Sequence, residues 1–341
     1  MSITLEKSPQ RIRSYDVGGT WTRHADYTPR GDRLSPIEKT ATPRGSAPLL
    51  INHIATSAVQ EPKPDAVAIS FGGPTTAEGV IVRAPNIWSH QETYIPLAAE
   101  TQQRTGIPTS AVNDMTASAW REKQTGIAFT FPSFLIVTVS SGVGSKLFQN
   151  GEVLLGENGI AGEIGHFVMD PNSKLQCGCG QWGHLESFAS GIAAERIARE
   201  RAAKDLVQNY ASSALHQWTQ GNPGFITNDH LSQLRAENDP LSFLKPILEE
   251  VTQPLALGIN HIWAMSAFEH LVLIGGFALG IGDPYFSALK SRLFKIGLMG
   301  IHYPENSPFW NGFIVKGSAD DESGLIGAAV AAANRFGLKE I

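Results

Sequence analysis

The sequence has few cysteines, no long apolar run and no excess of basic residues. Its two cysteines, Cys177 and Cys179, are separated by one residue, which is too tight a loop for good disulfide geometry. A metal or thiol role in a reducing compartment is therefore favoured over a disulfide framework. With 341 residues, 42% of them hydrophobic, the chain is long enough to form a core without disulfides.

Charge and hydropathy argue against two classes of partner. The formal net charge is −5, from 27 basic and 32 acidic residues. The densest basic run, residues 196–204, is interleaved with acidic residues, which is typical of a solvated helix face. The sequence predicts no binding to nucleic acid or to an anionic membrane. No apolar run reaches the length of a membrane span, and residues 1–10 lack the apolar segment of a signal peptide, so we expect a cytoplasmic protein.

Glycine is abundant, at 34 residues, and two glycine turns repeat one pattern. Strand, turn and returning strand are predicted over residues 12–27, around Gly18-Gly19-Thr20, and over residues 134–148, around Ser141-Gly142-Val143-Gly144. Adjacent glycines let backbone N–H groups approach an anion closely, although an ordinary tight turn is the alternative. The repetition predicts two lobes that close on a nucleotide.

The remaining pattern alternates strands with helices, which predicts an α/β protein. Further strands are predicted over residues 66–70, 80–82, 107–112, 270–274 and 313–316. Helices are predicted over residues 46–59, 95–105, 116–123, 190–204, 241–265, 284–294 and 323–335.

Two acidic residues lie at the ends of predicted strands. Asp16 lies at the end of the first strand, where a carboxylate can hold Mg²⁺ through water. Asp114 lies at a strand-to-helix junction. It is either an N-cap or a general base at the carboxyl end of the strand, where open α/β sheets bind their ligands.

One stretch, residues 162–186, contains both cysteines. His166 precedes Cys177 by eleven residues and His184 follows Cys179 by five, a spacing that predicts a metal knot. Glu163 and Glu186 lie at the edges of the stretch, and their carboxylates are predicted to bind a polar molecule.

These motifs resemble the ROK family of repressors and sugar kinases, within the actin/hexokinase superfamily. The family pattern G-E-x-G-H, followed by C-x-C-G-x-x-G-C-x-E, corresponds to residues 162–166 and 177–186. The resemblance extends from residue 16 to about residue 332. It is supported by Asp16-Val17-Gly18-Gly19-Thr20, Ala84-Pro85-Asn86, Asn113-Asp114, Gly275-Gly276 and residues 324–329.

The resemblance implies a two-lobed, actin/hexokinase-like (ribonuclease H-like) α/β fold with a nucleotide and sugar cleft between the lobes. The smaller lobe is expected to comprise residues 1–112 and 325–341. The larger is expected to comprise residues 113–324 and to carry the zinc-knot loop, residues 162–186. A homodimer is also expected, because dimers are common in the family.

The implied activity is ATP-dependent phosphorylation of a hydroxyl, the primary 6-OH or its equivalent, on a hexose or hexose-like ring. Asp114 would be the base that takes the proton from the attacking hydroxyl. The implied sugar ligands are Asn86, Asn113, Asp114, Glu163, His166 and Glu186. The implied nucleotide and Mg²⁺ site comprises Asp16, Gly18, Gly19, Thr20, Ser141, Gly142, Gly144, Gly275 and Gly276.

The sequence departs from the family pattern inside the knot. His184 stands where the family has a third cysteine, and imidazole is also a competent zinc ligand. A structural Zn²⁺ held by His166, Cys177, Cys179 and His184 is therefore expected. The alternative is that His184 is a surface histidine and the metal is absent or weakly held. His166 would bind zinc through one ring nitrogen and the sugar through the other.

Three further positions depart from the pattern. Ser145 and Lys146 replace two glycines after the second turn. We favour a solvent-facing Lys146 over one that reaches a phosphate. Trp21, where the family often has lysine, is expected either to pack the cleft edge or to lie in the core.

Several alternatives remain open at this stage. The acceptor is a hexose, an N-acetylhexosamine or a sugar-like cyclitol, and the donor is ATP or polyphosphate. A non-catalytic sugar sensor is the other class. Its repressor branch carries an N-terminal helix-turn-helix, for which the roughly eleven residues before the first strand leave no room.

Overall fold

The structure, a computed structural model, describes residues 10–84, 86–88, 92–204, 209–234, 237–239, 242–298, 303–304, 306–318 and 322–339. The strands within these ranges are β1 Ile12–Val17, β2 Trp21–Tyr27, β3 Glu38–Ala41, β4 Ala66–Phe71, β5 Ile81–Arg83, β6 Thr93–Ile95, β7 Thr109–Asn113, β8 Phe134–Val139, β9 Val143–Gln149, β10 Glu152–Val153, β11 His270–Ile274 and β12 Ile314–Lys316.

The helices in the same ranges alternate with these strands. They are α1 Ala47–Ala58, α2 Leu97–Thr105, α3 Asp114–Thr125, α4 Glu186–Ala189, α5 Gly191–Lys204, α6 Asn209–Ser212, α7 Ala214–Trp218, α8 Asn228–Gln233, α9 Leu244–Ser266, α10 Gly276–Ile281, α11 Asp283–Ile296, α12 Pro308–Phe313 and α13 Ser323–Phe336. Two 3₁₀ turns are also present, at Ile164–His166 and Pro223–Phe225.

The chain divides into two compact units. The first unit comprises Met1–Phe131, Gly151–Ala161 and Asp320–Ile341, and the second comprises Pro132–Asn150 and Gly162–Ala319. This division differs from the predicted lobe boundaries, because residues 113–131 and 151–161 belong to the first unit. Helix α3 packs against α13, which accounts for its place there.

The sheet of the first unit has the strand order β3-β2-β1-β4-β7. Strands β1, β4 and β7 are parallel, and their register sets Val17 beside Phe71 and Phe71 beside Asn113. All six residues of β4 are buried, as expected of a parallel strand covered on both faces. Because their last residues are in register, these strands bring their carboxyl ends to one edge of the sheet.

The second unit contains the neighbouring strands β9-β8-β11-β12. As in the first unit, an antiparallel hairpin, β8–β9, pairs with a parallel strand, here β11. The repeated strand–turn–strand pattern is therefore confirmed. The core of the second unit is built largely from helices. Helices α9 and α11 pack together, and both contribute buried residues such as Leu255 and Leu289.

Most predicted elements are present, with shifted ends. Helix α3 begins at Asp114 and not at Thr116. Phe313, predicted to start the last strand, instead ends helix α12. The predicted start of α9 at Leu241 lies outside the described residues, and within them the helix begins at Leu244.

Candidate active site

The first unit brings Asp16 and Asp114 to the same edge of its sheet. Asp16 is the second-last residue of β1, and Asp114 directly follows β7. The end of β4 lies between them in the strand order, and a Cβ on Gly72 would lie 4.0 Å from Asp114 Oδ2. This edge is where parallel α/β sheets position ligand-binding groups.

Helix α3 starts at this edge with two polar residues. Asn113 is its N-cap: its side chain accepts a hydrogen bond from the Met115 N–H at 2.9 Å, and Nδ2 donates to the Gly73 carbonyl at 3.1 Å. Asp114 is exposed, and its Oδ1 also accepts from the Met115 N–H, at 2.8 Å. The cap position therefore belongs to Asn113, and Asp114 presents its carboxylate at the surface of the first unit.

Two residues that follow β3 donate hydrogen bonds to the turn Gly18-Gly19-Thr20. The Thr42 hydroxyl donates to the Gly18 carbonyl at 2.7 Å, and the Thr42 N–H donates to the Thr20 carbonyl at 3.0 Å. Arg44 donates from Nε to the Gly19 carbonyl at 2.8 Å. Sequence reasoning missed Thr42 and Arg44, because more than twenty residues separate them from the turn and no local pattern marks them.

Two other predicted residues lie beside this turn. Asn86 is close to Gly19, where an added Cβ would meet the Asn86 Cβ at 3.7 Å; Pro85, in the same motif, lies outside the described residues. Trp21 is 49% exposed, with Lys39 Nζ 4.6 Å from its ring centroid. The core alternative for Trp21 is therefore wrong, because its ring lies at the surface against a lysine.

Asp16 is held in place by two neighbours. Arg23 Nη2 donates to Asp16 Oδ2 at 2.7 Å, and both side chains are at least partly exposed. Gly324, in the first turn of α13, lies so close that an added Cβ would be 2.5 Å from Asp16 Oδ1. The glycine is required here because any side chain would displace the carboxylate.

The close approach of Gly324 gives a direct prediction. Gly324→Ala should push Asp16 aside at a cost of about 1–3 kcal/mol, which corresponds to a roughly 5- to 150-fold rise in KM for Mg-ATP. Steady-state kinetics with varied Mg-ATP measures this change. Gly312→Ala, where an added Cβ would meet no atom within 4 Å, is the matched control and should leave KM unchanged. An unchanged KM in Gly324→Ala would exclude Asp16 from the nucleotide site.

The second unit places the other glycine motifs together. The Ser140 N–H donates to the Gly142 carbonyl at 3.0 Å, which closes the turn that runs through Ser141 to Gly144. Gly275, at φ +100°, follows β11, and an added Cβ would lie 2.5 Å from the Val139 carbonyl oxygen at the end of β8. The backbone of Gly275-Gly276 thus lies directly beside the turn.

The predicted metal ligands converge in the second unit. Ligand atoms of His166, Cys177, Cys179 and His184 all lie within 4.8 Å of one another. Cys177 Sγ is 3.6 Å from His166 Nδ1, and Cys179 Sγ is 3.3 Å from His184 Nδ1. Tetrahedral zinc, with Zn–S near 2.3 Å and Zn–N near 2.0–2.1 Å, separates a sulfur and a nitrogen ligand by about 3.6 Å. The residues therefore fit Zn²⁺, and His184, which is only 9% exposed, lies among the other ligands.

Glu186 joins this cluster to the glycine turn. Its Oε1 accepts from Cys177 Sγ at 3.1 Å and from the Gly178 N–H at 3.2 Å, and its Oε2 accepts from the Val143 N–H at 3.1 Å. Burial, reinforced by the Glu186 carboxylate, raises the pKa of the Cys177 thiol to about 12. A bound zinc ion reverses this effect because it binds the thiolate.

Lys146 corrects the expectations for the second turn. Its side chain is fully buried, and its Nζ forms an ion pair with Glu163 Oε1 at 2.8 Å. The preferred prediction, a lysine pointing to solvent, is wrong, because β9 directs the side chain into the protein. The pairing also argues against the alternative prediction, a lysine that reaches a phosphate, because Nζ already bonds to a carboxylate. The sequence carries no signal for the pair, since seventeen residues separate its members.

Two further features of the described residues lie apart from the predicted site. First, none of their helices is both long and apolar enough to cross a bilayer. Second, a groove of about 1060 Å³ runs along the second unit, lined mainly by α9 and α11, and it contains none of the predicted site residues.

Comparison with known proteins decides the family. The ROK family model matches residues 13–335. The chain belongs to the ROK family. A C(7)-cyclitol 7-kinase of Streptomyces hygroscopicus subsp. jinggangensis is 36% identical to this ROK protein over 275 residues, which cover 80% of this chain and 75% of the relative. A glucokinase of Halalkalibacterium halodurans is 33% identical over 287 residues, which cover 81% and 83%.

A solved ROK structure matches almost the whole chain. The crystal structure of a ROK family glucokinase from Streptomyces griseus, in complex with glucose and AMPPNP, superposes with a TM-score of 0.72 at 26% identity. The match covers 95% of this ROK chain and 99% of the glucokinase. The predicted fold class, a two-lobed actin/hexokinase-like α/β fold, is therefore confirmed.

Proposed function

We propose that the protein is an ATP-dependent kinase that phosphorylates a hydroxyl of a hexose or hexose-like ring. The observation that carries the proposal is the arrangement at the sheet edge of the first unit. An exposed carboxylate, Asp114, lies on the same edge as Asp16 and the Gly18-Gly19-Thr20 turn. This edge combines a base with an anion-binding turn, as phosphoryl transfer to an alcohol requires.

The proposed chemistry assigns the proton of the attacking hydroxyl to Asp114. Anchored at the first position of α3, the carboxylate takes this proton as the oxygen attacks the γ-phosphorus. The bond between that phosphorus and the β,γ-bridging oxygen breaks, and ADP leaves. The Asn113 side chain, bonded to Met115 and Gly73, fixes the start of the helix and so the position of Asp114. Backbone N–H groups of the two glycine turns would bind the phosphates. Magnesium, when bound, neutralises charge on the phosphates, and Asp16 would hold it through water.

We propose further that the acidic and imidazole groups of the second unit bind ring hydroxyls. Glu163 and Glu186 offer carboxylate oxygens, and His166 is exposed with Nδ1 facing the cysteine sulfurs, which leaves Nε2 for a hydroxyl. In the first unit, Asn86, Asn113 and Asp114 complete the proposed set. The zinc would be structural, because four protein ligands fill a tetrahedral ion and leave no open position.

The acceptor class remains a polyhydroxylated six-membered ring. Cyclitols should be tested alongside glucose, since a C(7)-cyclitol 7-kinase is 36% identical to this chain and a glucokinase is 33% identical. N-acetylmannosamine belongs in the same panel, because an N-acetylmannosamine kinase of Salmonella arizonae is 32% identical over 190 residues. The proposed 6-OH position, the homodimer and the cytoplasmic location stay predictions.

A panel assay tests the proposal. Purified protein with Mg-ATP is offered hexoses, N-acetylhexosamines and cyclitols one at a time, and ADP release is measured against a control without acceptor. We expect at least one ring to raise ADP release by about 10²-fold or more over that control. Tight binding of a ring without any ADP release would instead support the sugar-sensor alternative.

A further inference from the structure

Lys146 lies fully buried on strand β9, a position that a charged residue occupies only when it is paired. Its ammonium group donates to Glu163 Oε1 at 2.8 Å. The Glu163 side chain keeps a third of its area exposed, at 33%, so it remains accessible to a ligand. The pair therefore joins a buried cation to a carboxylate at the surface of the second unit.

The backbone on either side of Glu163 is seated on the same strand. The Ser145 hydroxyl donates to the Gly162 carbonyl. Gly165 lies so close to β9 that an added Cβ would overlap the Val143 carbonyl oxygen. The two residues that replace glycines of the family pattern, Ser145 and Lys146, thus both bond to the segment that carries Glu163.

We propose that Lys146 is a positioning residue for sugar binding, which holds the Glu163 carboxylate in one orientation for the ring hydroxyls. This inference rests on the proposed function and on the sugar-binding role of Glu163 within it. An exposed glutamate has three side-chain torsions to order when a ligand binds, whereas the Lys146 bond already restricts them. The oxygens of the Glu163 carboxylate offer hydrogen-bond acceptors, which suits a ring that presents hydroxyl donors.

The position of the pair predicts which kinetic constant it controls. Glu163 contacts the ring in both the ground state and the transition state, so a misplaced carboxylate weakens ring binding uniformly. Lys146 bonds to Glu163, which is a proposed ligand of the ring and not of the nucleotide. Its loss should therefore raise KM for the ring, with smaller effects on kcat and on KM for Mg-ATP.

The test is a double-mutant cycle on ring affinity, using the acceptor that the wild type phosphorylates best. Lys146→Met should raise KM for the ring about 10- to 100-fold, the value of a charged hydrogen bond, and should change KM for Mg-ATP less than threefold. Glu163→Gln should raise KM for the ring by a similar factor. Because both act through one contact, Lys146→Met/Glu163→Gln should differ less than threefold from Glu163→Gln alone.

A matched control separates positioning from general destabilisation. Lys123 donates from Nζ to the Phe129 and Phe131 carbonyls at 3.0 and 2.8 Å, and Lys123→Met should lower the melting temperature without changing KM for the ring. If Lys146→Met fails to fold because the Glu163 carboxylate loses its partner, the double variant, which lacks both charges, is compared with Glu163→Gln, whose amide oxygen still accepts from Lys146 Nζ. Isothermal calorimetry with the ring alone provides the same comparison without catalysis.

The outcomes distinguish this inference from the proposed function. An active wild type whose ring KM is unchanged in Lys146→Met overturns the positioning role and leaves the kinase intact. Multiplicative losses in the double variant also overturn it, since they show that Lys146 acts independently of Glu163. A wild type that phosphorylates no ring refutes the proposed function itself, and calorimetry then still measures the coupling of Lys146 and Glu163 in ring binding.

Discussion

Replacing Asp114 with asparagine should lower kcat by about 10²- to 10⁴-fold, the usual contribution of a general base. Asparagine keeps the Oδ1 acceptor that meets the Met115 N–H, so the first turn of α3 should be preserved. The amide cannot take the proton from the attacking hydroxyl, and the barrier rises for that reason alone. Ring affinity should change little, because asparagine still offers hydrogen-bonding atoms in the same place.

The measurement is steady-state kcat together with calorimetric ring affinity. Asp283→Asn is a matched control, because Asp283 is also the first residue of a helix, α11, and lies outside the predicted site. Its kcat should stay within about twofold of the wild type. A value of kcat in Asp114→Asn within tenfold of the wild type would contradict the role of Asp114 as the base.

The second large effect concerns zinc. The protein should contain about one zinc per chain, and His184→Ala should abolish this binding, while His184→Cys should retain it because thiolate is also a zinc ligand. Loss of zinc should destabilise the second unit by about 4 kcal/mol when free zinc is 1,000-fold above Kd, a fall of roughly 10 °C in Tm. Ring affinity should fall as well, since Glu186 bonds to Cys177 and Gly178 inside the knot.

Elemental analysis and thermal denaturation of the two His184 variants test this directly. Because the variants differ only in the donor atom offered at one position, general effects of mutating His184 should appear in both. A wild type that is zinc-free yet folded and active, or a His184→Ala variant that keeps its zinc and its Tm, would refute the structural metal.

The sequence predicts the elements that carry their own local signal. Strands such as β4 and β11 are short apolar runs ended by glycines, and both glycine hairpins follow from turn chemistry. The knot is predictable because four metal ligands fall within nineteen residues. The sequence alone does not decide whether His184 is a metal ligand, and the distance of its Nδ1 from Cys179 Sγ agrees with that role.

Long-range contacts account for what the sequence does not show. Asp16 meets Gly324, which is 308 residues away, and the Gly18-Gly19-Thr20 turn is bonded by Thr42 and Arg44. No periodicity or motif in one region predicts such a partner in another. The Lys146–Glu163 pair is unpredictable for a further reason. A lysine in a strand is normally solvent-exposed, and only its partner explains its burial.

The most direct test of the proposed kinase activity is product analysis by ³¹P and ¹H NMR after reaction of Mg-ATP with the best acceptor ring. A ring kinase should form one phosphomonoester on a ring hydroxyl for each ADP, with the ester on the primary hydroxyl where the ring has one. ADP accompanied by inorganic phosphate and no ring ester, or no ADP with any ring, would contradict it.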